Sequence, residues 1–146
     1  MDISNNAKKA RPSSTLSISS NANRMIDEGI DIVNFSAGEP DFNTPDYIKE
    51  AAIEAINDNF TKYTPYEGIV ELRQAVADDL KKNCDLDYTP EQIVISNGSK
   101  HAITNAFMAI LNPGDEVIVP APYWNSYIDI IELCYGVPVV VNTTKQ

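Results

Sequence analysis

IVISNGSKHAITNAF, Ile93 to Phe107, runs from an apolar strand through a Gly-Ser-Lys turn into a helix. Ile93, Val94 and Ile95 form a β-branched run, and Ile103, Ala106, Phe107 and Ile110 recur at helical spacing beyond the turn. The first amides of a helix lack intrahelical acceptors, and Gly98 lets backbone approach a ligand that a Cβ would hold off. That geometry suits an anion. Ser99 adds a hydroxyl donor and Lys100 a charge or a reactive amine, so phosphate binding and amine chemistry are both open from this stretch alone.

Outward from the turn the pattern is regular: strand 93–96, helix 100–111, turn Asn112-Pro113-Gly114-Asp115, strand 116–119, helix 125–134 and strand 137–141. This is βαβαβ. Continuous Val/Ile strands separated by helices imply an α/β fold with a mostly parallel sheet covered on both faces. Upstream, a polar arm of residues 1–12 ends in Arg11-Pro12, and a helix is predicted from Ser13 to Glu28 with Gly29 as its stop. Ile32, Val33 and Phe35 read as a short strand leading into Ser36-Ala37-Gly38-Glu39-Pro40-Asp41. Thr44 is expected to cap a helix with Pro45 at its first position, burying Ile48, Ala52, Ala55 and Ile56. After the irregular Tyr63–Gly68, a helix carries Ile69, Leu72, Val76 and Leu80 on one face. Thr89 caps the turn before Ile93.

Composition narrows the function. The 146 residues are 43% hydrophobic, enough for a core, and the formal charge is −10 with no basic stripe beyond Lys8-Lys9 and Lys81-Lys82. Such a surface repels nucleic acid and anionic lipid. Cys84 and Cys134 lie far apart without a CxxC, giving neither a zinc site nor a disulfide framework. MDISNNAKKA has no signal-peptide core and no run is long enough for a membrane span, so a cytoplasmic location is expected.

FSAGEPDFNTP (Phe35–Pro45), TKYTPYEGIVELRQAV (Thr61–Val76), ISNGSKHAI (Ile95–Ile103) and LNPGDEVIVPAPYWNSY (Leu111–Tyr127) stand in the order in which similar motifs occur in the fold-type I aminotransferases that use pyridoxal 5′-phosphate. From about Arg11 to Val141 the chain resembles their aspartate aminotransferase branch. The resemblance implies that residues 13–60 form an N-terminal segment contributing to the small domain and the active-site entrance. Residues 61–146 would be the first part of the large cofactor-binding domain, truncated, because family members are much longer. It implies that Gly98, Ser99 and Lys100 hold the cofactor phosphate, that Trp124 stacks on the pyridine ring, and that Gly38 lies by the substrate carboxylate. Tyr63 would reach the phosphate in the neighbouring subunit of a homodimer. Lys100 would not be the Schiff-base lysine; that residue lies downstream in the family, as do the acid paired with the ring nitrogen and the arginine that grips the substrate. The parent enzyme would move an amino group between an L-amino acid, aspartate first, and a 2-oxo acid, and this chain alone would be inactive. The rival reading is a noncatalytic truncated product or phosphate-binding module of the same fold.

Taken singly, several of these residues have plainer readings. Trp124 alone would be a core or interface aromatic, and Tyr63 and Tyr66 loop packing residues. His101 reads as a solvent-facing residue at a helix start, and Arg73 as half of a helical ion pair or a dimer contact. Glu39 and Asp41 read as structural acids. The three strands expected here make a thin sheet, and the resemblance implies that Ile93–Ser96 is separated within it from the other two by later chain segments, so an isolated chain is not expected to be a stable monomer.

Overall fold

The computed structural model describes residues 2–9, 14–36 and 38–144 and divides the chain into two compact units, Arg11–Lys62 and Met1–Ala10 with Tyr63–Gln146. The smaller holds helices α1 (Ser14–Asp27) and α2 (Asp46–Asn57). Helix α1 stops as its sequence predicts: Gly29 adopts a φ of +80°, its amide donates to Ile26, and the Ile30 amide donates to Met25. This pair of bonds satisfies carbonyls that the helix end leaves bare. Asn59, φ +60°, ends α2 in the same way, with Phe60 reaching back to Ala55.

Two expectations for this unit are corrected. Pro45 is the residue before α2, not its first helical position, and no side chain caps the helix; Pro45 instead offers its carbonyl to the Ile48 and Lys49 amides. Residues 32–35 form no strand, because no partner strand lies among the described residues. Burial is also slight here. Ile48, Ile53 and Ile56 of α2 stand exposed, and Ala22 of α1 is the one buried residue described in this unit. The periodicity that shapes a helix does not supply the surface it packs on.

The larger unit contains α3 (Val70–Cys84), α4 (Gly98–Ile110), β1 (Glu116–Ala121), α5 (Ser126–Leu133) and β2 (Val137–Asn142), with short 3-10 turns at Ala7–Lys9 and Pro90–Gln92. Strands β1 and β2 are parallel, paired from Glu116 with Val137 to Ala121 with Asn142, and α5 is their crossover. The sheet thus has two strands, not three. Residues 93–96 lie outside it, extended at Ile93, and the Ile95 amide donates to the Glu67 carbonyl at 2.9 Å.

The turn at 112–115 behaves as read: Gly114 takes φ +93° and Asp115 Oδ2 accepts from the Asn112 amide at 2.7 Å. Val119, Ile128 and Ile131 form the core, with Phe107, Val117 and Tyr123 packed against them. Residues 2–9 belong to this unit, and Asn6 Nδ2 donates to the Leu133 carbonyl at 2.9 Å, at the end of α5.

Burial is sparse for a chain of this mass. The accessible surface is 12183 Å². Two separate compact bodies of these sizes would expose about 8,800 Å².

Candidate functional site

Helix α4 begins at Gly98, two residues earlier than the apolar spacing places it, and Gly98 has φ +80°. A Cβ there would meet nothing within 4 Å, so space does not select glycine; the left-handed backbone does. The same absence of neighbours leaves the approach to this turn open. The Gly98 amide donates to Ser96, and the next amides in line, those of Ser99 and Lys100, lead a 13-residue helix. Their orientation and the helix dipole favour negative charge.

His101 occupies the turn that follows. Its Nδ1 accepts the Asn97 amide at 3.1 Å, which stabilises the helix start and places the neutral ring's proton on Nε2. A side chain that reaches back to the N-cap amide supplies one half of a capping arrangement. The histidine is thus exposed and structurally occupied.

Trp124 follows β1 and the cis Ala121–Pro122 bond and precedes α5. Lys100 Nζ lies 5.4 Å from the centre of its ring. Such a cation–π contact is worth about 0.5–1 kcal/mol at an exposed site. Tyr127 meets Trp124 edge-on, with centroids 5.5 Å apart and planes at 84°. The sequence signal for Tyr127 was its position three residues after Trp124, at the mouth of a helix, and it went unread.

Not all the residues singled out by sequence converge. Lys100 and Trp124 meet, and Ser99 adjoins Lys100. Tyr63 is fully exposed on the 63–68 loop. Gly38 belongs to the other unit, exposed, with nothing within 4 Å of where its Cβ would stand. Glu39 and Asp41 are exposed beside it.

Other chemistries find little support. Among the described residues no group of three His, Cys, Asp or Glu side chains is placed to hold a metal, and no helix is long and apolar enough to cross a membrane. Cys84 is exposed and Cys134 is buried, its thiol directed at the Thr104 carbonyl and its pKa raised by burial.

The surroundings suit a flat phosphorylated cofactor: an open glycine turn, a helix start, a serine, a lysine and a half-exposed indole. The description "Aminotransferase class I and II" belongs to the family model that matches residues 30–146. A probable aspartate/prephenate aminotransferase of Rhizobium leguminosarum bv. phaseoli is 49% identical over 138 residues, 94% of this chain and 34% of that protein. The aspartate aminotransferase of Bacillus sp. strain YM-2 is 44% identical over 144 residues, 99% of this chain and 37% of its own length. Among solved structures, the Thermus thermophilus aspartate aminotransferase with maleate superposes with a TM-score of 0.94 at 42% identity, covering 99% of this chain and 38% of that one. This chain therefore spans about a third of the length of the relatives it matches. With a family model covering most of its residues, and a fold matching that of aspartate aminotransferase over nearly the whole of them, the chain belongs to the class I and II aminotransferases.

Proposed function

We propose that this chain is the N-terminal part of a pyridoxal 5′-phosphate-dependent aminotransferase that exchanges an amino group between an L-amino acid, aspartate first, and a 2-oxo acid. The observation that carries the reading is the meeting of Lys100 and Trp124 beside the open turn at Gly98. In this assignment the Ser99 and Lys100 amides and the Ser99 hydroxyl hold the phosphate. The indole of Trp124 orients the pyridine ring and shields one face from water. The Gly38 backbone, lacking a side chain, leaves room for the substrate carboxylate.

The fully exposed Tyr63 fits a residue that works in a neighbouring subunit, and a homodimer follows from that role. Residues 13–60 contribute to the small domain and the active-site entrance, and 61–146 open the large domain. The names of the relatives support aspartate as donor, and that of the Rhizobium protein adds prephenate, a 2-oxo acid and so an amino acceptor. The cofactor, when bound, supplies the electron sink for bond breaking at the amino acid's α-carbon. The 146 residues alone provide binding elements only, so the chain is inactive by itself. A soluble cytoplasmic enzyme is the setting that best suits its acidic surface.

The test uses pyridoxamine 5′-phosphate, which lacks the aldehyde that would label surface lysines, and follows the fluorescence of Trp124, the single tryptophan. Saturable quenching that inorganic phosphate reverses, and that unphosphorylated pyridoxamine does not produce, is expected. Serine 99 is then replaced, S99A, and the half-saturation point should rise. Quenching that is linear in ligand, or equal for the two pyridoxamines, would overturn the phosphate assignment and leave a noncatalytic truncated product as the better account.

A further inference from the structure

Arg73 has donors that a solvent-facing helical arginine would spend on water. Its helical neighbours at three and four residues are Ile69, Val70, Val76 and Ala77, so no carboxylate is in place for an ion pair along α3. The side chain is only 11% exposed. Nε donates to the Gly68 carbonyl at 3.1 Å and Nη1 to the Pro90 carbonyl at 2.9 Å, while Nη2 lies 3.9 Å from Glu67 Oε1. The sequence expectation of a helical ion pair is thus replaced by a fork that grips two backbone segments.

Two independent features join the same segments. The Ile95 amide donates to the Glu67 carbonyl at 2.9 Å. Gly68, at φ +101°, lies so close to Ile95 that an added Cβ would stand 2.5 Å from Ile95 Cγ1. The loop 63–68 and the segment 93–96 are therefore in backbone contact, and the guanidinium ties the same loop, at Gly68, to the Pro90–Gln92 turn that leads into that segment.

We propose that Arg73 is a positioning residue that welds the Tyr63 loop to the 90–96 segment leading into Gly98, so that the Gly98 turn of one site and the loop assigned to the neighbouring subunit's site move as one body. The functional half of this rests on the phosphate assignment above; the weld itself does not. A guanidinium is suited to the task because its planar fork reaches two carbonyls at once, whereas an ammonium is a single point charge.

The experiment measures amide hydrogen exchange at residue resolution in the full chain for wild type, R73Q, R73K and V119A, with the Cys134 amide, bonded to Ile130 inside the core unit, as reference. R73Q should lower protection of Ile95 about tenfold relative to Cys134, the size expected for a hydrogen-bonded contact to a charged donor. R73K should resemble R73Q. V119A, which weakens the core, should lower both amides together. An even loss across the chain in R73Q would show a general stabiliser and overturn the proposal. Full protection in R73K would also overturn it, because charge toward Glu67 would then suffice.

Pyridoxamine 5′-phosphate is titrated into the same proteins, and R73Q should need about ten times more ligand than wild type. If wild type shows no saturable quenching, the phosphate assignment falls alone and the exchange contrast still decides the weld. If wild type binds and R73Q binds equally well, the functional half of the proposal is refuted.

Discussion

Replacing Gly68 by alanine separates two costs that glycine usually hides together. At φ +101° an L-residue is strained by roughly 1–2 kcal/mol. The added methyl would also stand 2.5 Å from Ile95 Cγ1 and 2.8 Å from Ile95 Cβ, and forcing carbon into a filled site typically costs about 1–3 kcal/mol more. Gly114 provides the control, with φ +93° and nothing within 4 Å of its missing Cβ. Alanine there should incur the backbone cost alone. Urea unfolding of the larger unit, read by Trp124 and run in sulfate to strengthen burial, should show G68A losing about 1–3 kcal/mol more than G114A. Adding I95A should return part of that difference, because it removes Cγ1 and leaves only the 2.8 Å approach to Cβ. Equal losses for G68A and G114A, or a G68A penalty that I95A does not reduce, would refute the claim that loop 63–68 and segment 93–96 are in contact.

Three further outcomes follow from the geometry. The Thr89 hydroxyl, with lesser help from the local backbone and Arg73, holds the Glu91 carboxyl below its usual range. Its contribution is therefore present above the ordinary glutamate pKa and lost as pH falls through the depressed value, so acid titration should lose that limb in E91Q and keep it in wild type. A thiol reagent should label the exposed Cys84 at once and Cys134 only on unfolding, and equal labelling rates in the native chain would contradict the burial of Cys134. Ile131, 1% exposed, should cost about 2–5 kcal/mol as alanine, while the exposed Ile56 should cost little, as read by unfolding of the 146-residue chain; similar losses would show that α2 is covered in solution.

Local rules of the chain are readable wherever the partner is also local. Gly29 stops α1, Gly114 turns before β1, and the Val/Ile runs at 116–121 and 137–142 pair because α5 returns one beside the other. The same composition at 93–96 and 32–35 forms no ladder, since propensity does not supply a neighbouring strand. Arg73 and His101 show the limit at the level of side chains. Each is satisfied by main-chain atoms, Gly68 and Pro90 carbonyls for one and the Asn97 amide for the other, and backbone groups leave no residue-type signature. Tyr127 was missed for a different reason: an edge-on ring pair depends on the angle at which a helix leaves its strand, which spacing alone does not state.

The core and the candidate site share their scaffolding. Phe107, on α4, packs against Val119, Ile128 and Ile131, of which the latter two belong to α5. Lys100 stands in the first turn of α4, and Trp124 two residues ahead of α5. The 5.4 Å between ammonium and indole thus depends on how α4 and α5 pack together and on the short 122–125 segment that carries Trp124. On its other side the Gly98 turn is fed by a segment that lies outside the sheet and depends on the Ile95–Glu67 bond and the Arg73 fork. A close-packed cluster holds its shape against small forces, whereas a few hydrogen bonds open locally at modest cost. The turn therefore joins a packed helix pair on one flank and a hydrogen-bonded junction on the other, so removing the Arg73 fork should loosen the second flank and leave the first in place.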